Sequence, residues 1–277
     1  MPWPFSTPAP IALQLLVGLG LGALIALLAW RAGALKPSGA FAAVITGGLI
    51  FGLGGLPWAT LLLAFFISSS ALSRAFSRRK AALSEKFAKG SQRDWGQVLA
   101  NGGLGALLAL ALLAFPAQSW PWIAFAGAMA AVNADTWATE VGVFSASRPR
   151  LITTGKAVEA GTSGGITSLG YLAALSGAAL IAILAVIFSP DGNQLLQAAG
   201  ITLAGLAGTS FDSFLGATVQ GIYYCPSCQK ETERYPRHTC GSQTIHQRGW
   251  RWLNNDWVNF LCSLVGALAA LGLSRLV

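Results

Sequence analysis

Four acidic side chains lie inside or at the edge of long apolar stretches of this chain: Asp135, Glu140, Asp212 and Asp256. Inserting an ionisable group at membrane depth costs roughly 2.5–3.5 kcal/mol, so such groups are mostly kept where they bind an ion, move a proton or meet a polar substrate. The chain has only ten acidic residues in all. These four are therefore the first candidates for a functional site.

Asp135 and Glu140 belong to one polar segment, Asn133–Glu140, in which Asn133 is a further candidate to contact a bound cofactor. Their separation corresponds to about 500° of helical rotation, so both can line one broad polar face without stacking. Two carboxylates with hydroxyl and amide oxygens nearby are the hard oxygen ligands that Mg²⁺ takes together with phosphate and water. The alternative is a buried polar network that only holds helices together.

Other polar groups stand at the ends of neighbouring apolar stretches. Asp212 ends one stretch, while Asn101 lies near the start of another and Asp256 opens a third, in which Asn255 and Asn259 are one helical turn apart. Each group alone could be a helix cap. Together they predict a shared polar site, with Asn255 and Asn259 as cofactor contacts.

A glycine-rich segment comes directly before the sixth apolar stretch: Gly161, Thr162, Ser163, Gly164 and Gly165. Glycines allow a ligand to approach the backbone, and the following helix offers free N–H groups and the positive end of its dipole. This geometry binds phosphate. An ordinary helix cap with flexible glycines is the alternative, and no GK[ST] sequence of a Walker loop follows.

Cysteine and histidine form a cluster in the longest connection, with the spacing C-x₂-C-x₉-H-x-C: Cys225, Cys228, His238 and Cys240. Thiolates and an imidazole at such spacing suit a tetrahedral Zn²⁺. Unliganded thiols or a disulfide remain alternatives, although the expected cytoplasmic side disfavours the disulfide. A four-ligand zinc site would be structural, since it leaves no open position.

Composition places these groups in a membrane. Charged residues make up 10% of the chain, against about 25% in soluble domains. We expect an all-α polytopic membrane helix bundle of about eight transmembrane helices, near residues 11–30, 40–56, 58–73, 97–115, 121–144, 165–188, 195–219 and 256–274. The start lacks a basic n-region, so we expect no cleavable signal peptide.

The 18 Lys and Arg residues indicate the orientation. All but one fall in the connections after spans one, three, five and seven, which the positive-inside rule places in the cytoplasm. We therefore expect one integral membrane domain over 1–277, with residues 220–255 as a cytoplasmic Cys/His-rich loop module. Because topology already explains the net charge of +8, we expect no nucleic-acid partner.

Four strings in this order give the chain a resemblance to a known family: Arg93–Gly102, Asn133–Glu140, Gly161–Thr167 and Asp212–Thr218. They resemble the family of human transmembrane protein 19 and of plant and cyanobacterial phytyl-phosphate kinase. The resemblance implies a membrane kinase of tocopherol and prenyl-lipid metabolism. Such a kinase would transfer a phosphoryl group from a nucleoside triphosphate to phytyl phosphate or a related isoprenyl monophosphate, and CTP is the first candidate for the donor. Its membrane would be a bacterial plasma membrane or a thylakoid membrane.

In this reading the predicted residues have separate roles. Asp135 and Glu140 bind Mg²⁺, with Asp212 or Asp256 as further ligands, and the glycine-rich segment holds phosphates. Lys156 and Arg93 neutralise the charge that develops on the transferred group, at a site toward the cytoplasm. An ion- or proton-coupled transporter with the same acids as a relay is the alternative. A scaffold whose zinc module recruits a partner is a third hypothesis.

Overall fold

The computed structural model describes residues 10–80, 86–189 and 192–275. Seven helices run through these residues: α1 (Ile11–Arg31), α2 (Pro37–Lys80), α3 (Trp95–Ala114), α4 (Trp120–Gly142), α5 (Ser168–Ile187), α6 (Gln194–Thr218) and α7 (Asn255–Leu273). They lie close to the predicted spans. The helical bundle expected from composition is therefore confirmed.

The 44-residue helix α2 contains a break that accounts for two of the predicted spans. Gly55 has φ 70° and ψ −160°, a conformation that glycine adopts without the clash of a Cβ. Pro57 follows and cannot donate the helical hydrogen bond expected at its position. The two halves of α2 are therefore the predicted second and third spans, and they meet where the sequence placed the boundary.

Hydropathy separates the helices into two groups. The helices α1, α2, α3, α5 and α7 are long and apolar enough to cross a membrane by length and composition. The acidic residues Asp135, Glu140 and Asp212 lie on α4 and α6, which are outside that group. Polar residues lower the mean hydropathy of these two helices, so the same side chains that suggest function also weaken the signal for a membrane span.

The helix α4 is the buried axis of the bundle, since it packs against α2, α3, α5, α6 and α7. Its middle residues, including Phe125 and Met129, are fully buried. Gly208 on α6 and Gly266 on α7 both approach Ala131 of α4, and a Cβ on either glycine would lie 2.5 Å from the Ala131 Cβ. Small residues thus let the helix backbones approach closely and bring α6 and α7 against the acid-bearing helix.

The connections contain short strands that the sequence analysis did not predict. The strands β1 (Arg150–Leu151) and β2 (Gly165–Ile166) pair antiparallel, with Arg150 opposite Ile166. Between α6 and α7, β3 (Ile222–Cys225), β4 (Lys230–Thr232) and β5 (Ile245–Arg248) form an antiparallel sheet in the order β4-β3-β5. The predicted Cys/His-rich loop module therefore contains a small sheet, and we call it the β module. Strands of three or four residues are too short to show a clear alternation in the sequence.

Candidate functional site

A polar cavity of about 1010 Å³ lies at the end of the bundle where α2, α4 and α6 finish and α3, α5 and α7 begin. Most of the predicted site residues line it: Arg93, Asn101, Asp135, Glu140, Gly161, Thr162, Ser163, Gly164, Gly165, Asp212, Asn255 and Asn259. The prediction that these separate polar groups converge at one end of the helices is thus matched by the structure.

Acidic groups of α4 and α6 meet on one wall of the cavity. Thr209 donates a hydrogen bond from its hydroxyl to Asp135 Oδ1 at 3.1 Å. Asp212 Oδ2 is buried and has no hydrogen-bond partner among the described residues. Asp212 is also close enough to the carboxylates of Asp135 and Glu233 for their negative charges to act on it. A buried carboxylate beside two others favours a cation at this wall.

Glu140 lies on a different wall, toward α2. Its Oε1 accepts a hydrogen bond from the Ser73 hydroxyl at 2.6 Å, and the residue is 4% exposed. Its charge also acts on the guanidinium of Arg93. The predicted pair of Asp135 and Glu140 therefore lines one cavity, but the two carboxylates have different neighbours.

Arg93 presents a fixed positive charge to the cavity. Its Nη1 and Nη2 donate hydrogen bonds to Ser70 Oγ at 2.7 Å and Ser69 Oγ at 2.8 Å. Its guanidinium lies 5.4 Å from the ring centroid of Phe66 and 5.8 Å from that of Phe65. Burial lowers the pKa of Arg93, while the charge of Glu140 acts in the opposite direction. An arginine stays protonated under such a shift, because its ordinary pKa lies far above neutral pH.

The glycine-rich segment turns over the cavity and packs on the end of α6. Gly161 and Gly164 both have φ of +80°, and a Cβ on Gly164 would lie 2.5 Å from the Ala217 Cβ. Thr167 caps α5 by accepting the Gly170 N–H at 3.0 Å, so one free donor of this helix end is already used. The glycines are thus required by backbone conformation and close packing, and the segment still faces the cavity.

Four charged residues that the sequence analysis missed also line the cavity: Lys89, Arg148, Glu159 and Glu233. Lys89 Nζ lies 2.8 Å from Asp94 Oδ1 and 2.5 Å from Asp256 Oδ2. Burial lowers the pKa of Lys89, but the hydrogen bonds and charges of Asp256 and Asp94 outweigh it and raise this pKa above its usual value. The ammonium group therefore remains charged. No sequence spacing relates Lys89 to Asp256, so only the fold reveals this pair.

Glu233 joins three segments around the cavity. Its Oε1 accepts hydrogen bonds from Ser163 Oγ at 2.5 Å and from Gln220 Nε2 at 3.1 Å. Its Oε2 accepts the Ala88 N–H at 3.2 Å, and its own N–H donates to the Lys86 carbonyl at 2.9 Å. Glu233 directly follows β4, so this residue links the β module to the glycine-rich segment and to the connection before α3.

Three predicted site residues are absent from the described lining of the cavity: Lys156, Asn133 and Asp256. Lys156 is exposed in the turn between β1 and β2. Asn133 is fully buried between helices, where its Nδ2 donates to the Gly177 carbonyl at 2.8 Å and its Oδ1 accepts from Ser68. Asp256 pairs with Lys89. The structure thus places Lys156 in solvent, Asn133 between helices and Asp256 beside Lys89, and the direct roles predicted for these three residues stay predictions.

The cysteine and histidine cluster forms a separate group in the β module. One ligand atom from each of Cys225, Cys228, His238 and Cys240 lies within 4.8 Å of the others. Cys225 Sγ and Cys240 Sγ are 3.5 Å apart, far longer than the roughly 2.05 Å of a disulfide. Metal–sulfur bonds of about 2.3 Å in a tetrahedron would place sulfurs about 3.8 Å apart. The cluster could therefore bind a metal ion.

The thiols of this cluster share hydrogen bonds that move their pKa values in opposite directions. The hydrogen bond to Cys240 and then burial raise the pKa of the Cys228 thiol to about 11. Hydrogen bonds from Ser242 and then from His238 lower the pKa of the Cys240 thiol to about 5. His238 Nδ1 lies 3.3 Å from Cys240 Sγ, and His238 is 4% exposed. Since thiolates are the form that coordinates metals, Cys240 is already prepared to act as a ligand.

Comparison with known proteins agrees with the fold. The family described as integral membrane protein DUF92 matches residues 20–267. Protein PGR of Arabidopsis thaliana is 33% identical over 274 residues, which cover 91% of this chain and 93% of that protein. An uncharacterized membrane protein of Methanocaldococcus jannaschii is 34% identical over 92% of both chains. An uncharacterized membrane protein of Synechocystis is 30% identical over a region that covers 80% of this chain and 78% of the Synechocystis protein.

No solved structure matches the chain significantly. The family match covers most of the chain, and all three relatives are at least 30% identical to it over most of its length. These matches agree with the resemblance carried by the four sequence strings. The chain therefore belongs to the DUF92 family of multi-pass integral membrane proteins.

Proposed function

We propose that the polar cavity binds a nucleoside triphosphate, with CTP as the first candidate, and an isoprenyl monophosphate such as phytyl phosphate. An oxygen of the monophosphate would form a new bond to the γ-phosphorus while the bond to the β-phosphate oxygen breaks. A nucleoside diphosphate and an isoprenyl diphosphate leave. The observation that supports this proposal is one large cavity that combines buried carboxylates, held cations and a glycine-rich segment.

The carboxylates of Asp135 and Asp212 would hold Mg²⁺. They come from α4 and α6, which pack closely, and Asp212 Oδ2 is buried without a hydrogen-bond partner among the described residues. Carboxylate oxygens together with substrate phosphates and water are the usual Mg²⁺ ligands. A bound Mg²⁺ would offset the negative charge of the phosphates. This pairing modifies the prediction from sequence, in which Glu140 is the second ligand.

The cationic residues Arg93 and Lys89 would neutralise charge on the transferred group. Both are fixed by neighbours, Arg93 by two serine hydroxyls and Lys89 by two carboxylates. Donors that are already oriented need no reorganisation as charge develops. Phosphoryl transfer depends mainly on such positioning and charge stabilisation. Because the acceptor is already an anion, the site needs no strong general base.

The alternative, an ion- or proton-coupled transporter, uses the same acids differently. A transporter needs carboxylates that are reachable in turn from both membrane faces. The described residues that line the cavity come from one end of the helices. Three of them, Lys89, Arg93 and Arg148, are cationic, and this suits phosphates better than a relay for protons or metal cations.

In the β module, we propose that the cluster binds Zn²⁺ with a structural role. Three thiols and one imidazole supply a complete tetrahedral set, and no open position remains for a substrate. Cys225 ends β3 and Glu233 follows β4. Because β3 and β4 are paired, an ion at the cluster would stabilise the sheet that presents Glu233 to the cavity.

The decisive experiment is an assay of purified protein with CTP, Mg²⁺ and geranylgeranyl or phytyl monophosphate, in which the diphosphate product is measured. The substitution Asp135→Asn should lower the rate by at least about 10²–10³-fold, the cost of losing one group that stabilises transition-state charge. Glu231→Gln is the matched control, because this acid lies exposed on β4. Full activity of Asp135→Asn, or ion flux without product in proteoliposomes, would reject the proposal.

A further inference from the structure

A second, smaller cavity of about 210 Å³ lies beside the polar one, between α1, both halves of α2 and α3. Its walls are formed by aliphatic, aromatic and small residues, and Thr46, Arg93, Gln97 and Asn101 are its only polar residues among those described. The Thr46 hydroxyl is already bonded to the Ala42 carbonyl at 2.6 Å. This crevice therefore offers a ligand an apolar surface with polarity concentrated at the α3 side.

Three residues line both cavities: Arg93, Gln97 and Asn101. They form the boundary between a charged chamber and an apolar crevice. The two rings beneath the Arg93 guanidinium, Phe65 and Phe66, themselves line the crevice. A ligand that occupied both spaces would need an anionic head next to Arg93 and a hydrocarbon tail directly attached to it.

We infer that the crevice binds the isoprenoid chain of the lipid monophosphate, while its phosphate lies in the polar cavity beside Arg93. The inference rests on the proposed function for the choice of a monophosphate head group. It assigns the selection of chain length to the residues of α2 that face the crevice. Gly47 is the principal one, because a larger side chain there would shorten the apolar space.

The position of Gly47 supports this role. Arg93 lies near the beginning of α2, since its carbonyl accepts the Lys36 N–H at 2.9 Å, and α2 starts at Pro37. Gly47 is ten residues further along, which is about 15 Å at 1.5 Å per residue. A twenty-carbon chain that starts at Arg93 would reach Gly47, whereas a five-carbon chain would end before it.

The substitution Gly47→Leu tests the inference. A Cβ on Gly47 would have only Leu62 Cδ2 within 4 Å, at 3.9 Å, so the backbone can accept the new side chain. We expect KM for geranylgeranyl monophosphate to rise by at least about tenfold, because several methylene groups lose their apolar contacts. The rate with dimethylallyl monophosphate should stay unchanged. Gly20→Leu is the matched control, since Gly20 is exposed on α1 with no atom within 4 Å of an added Cβ.

A second measurement needs no variant and no turnover. A photoactivatable isoprenyl monophosphate should label α2 and α3 of the wild-type protein, and geranylgeranyl monophosphate should compete with it. Phosphatidic acid, which carries a similar phosphate on two acyl chains, should not compete. Equal competition by phosphatidic acid would show that the crevice holds bilayer lipid and would overturn the inference.

The outcomes separate this inference from the proposed function. Suppose that the wild-type protein transfers phosphate, and that Gly47→Leu and Gly20→Leu have the same KM for geranylgeranyl monophosphate and the same rate with dimethylallyl monophosphate. The crevice then does not hold the chain, and only this inference fails. If the wild-type protein transfers no phosphate to any isoprenyl monophosphate while labelling of α2 and α3 persists, the binding assignment stands and the proposed reaction fails.

Discussion

Replacing Glu233 with glutamine should make the segments around the cavity open locally more often, because the Glu233 side chain bonds to segments that are distant in sequence. Its two oxygens accept three hydrogen bonds, from Ser163 Oγ, Gln220 Nε2 and the Ala88 N–H. Glutamine keeps the size of the side chain but offers one oxygen and one NH₂ group. With the amide oxygen in the Oε1 position, two bonds survive, and the NH₂ group faces the Ala88 N–H as donor against donor.

The magnitude follows from these three contacts. An unsatisfied Ala88 N–H costs about 1–3 kcal/mol, and each surviving bond loses about 1 kcal/mol when its acceptor is no longer charged. Glu233 is only half-buried, so solvent screens part of this loss. We therefore expect the free energy of local opening of residues 86–94 to fall by about 1–3 kcal/mol, which raises the equilibrium constant for opening by about 5–150-fold.

Hydrogen–deuterium exchange of the purified protein measures this opening directly. Peptides that contain the Ala88 amide should exchange faster in Glu233→Gln than in the wild-type protein, while the metal content of the two proteins should be the same. Glu231→Gln is the control, because it makes the same chemical change on an exposed side chain two residues away. Equal exchange in the two variants would refute the reasoning that Glu233 fastens the β module to the cavity.

Two further predictions concern the other charged groups. Asp256→Asn should lower the pKa of Lys89, because Asp256 and Asp94 raise this pKa in the wild-type protein. The ammonium form is lost as pH rises through the pKa, so if phosphoryl transfer needs this form, the alkaline limb of the pH–rate profile should move to lower pH. An alkaline limb that does not move would exclude this role of Lys89. Treating the protein with a chelator, or replacing Cys225 with serine, should release the proposed Zn²⁺ and lower the thermal unfolding temperature. Elemental analysis measures the metal content, and a thermal unfolding experiment measures the stability. A wild-type protein that purifies without metal would contradict the zinc assignment.

The helices were predictable because their signals are local. An apolar run of about twenty residues specifies a span, and Gly55 with Pro57 marks the break within α2 through backbone properties that each residue carries alone. The gathering of the acidic and amide groups was also predictable. Basic residues assign the connections to one membrane face, and helices that alternate in direction then bring their polar ends together there.

The direction of individual side chains was not predictable from spacing. Asn133 lies in the same segment as Asp135, yet it turns toward α5 and binds the Gly177 carbonyl. Lys156 is near the glycine-rich segment in sequence, but the turn between β1 and β2 directs it to solvent. Lys89 contacts Asp256 across 167 positions of the chain, so no local pattern contains that information.

The different surroundings of Asp135 and Glu140 follow from the helix that carries both. Five residues correspond to about 500° of rotation, which leaves the two side chains about 140° apart around α4. One therefore faces α6, where Thr209 and Asp212 lie, and the other faces α2, where Ser73 donates to it. The glycine contact between α6 and α4 at Gly208 brings Asp212 toward Asp135. The Mg²⁺ that we propose for the cavity would then lie between two helices and not along one, while the charge of Glu140 acts on Arg93.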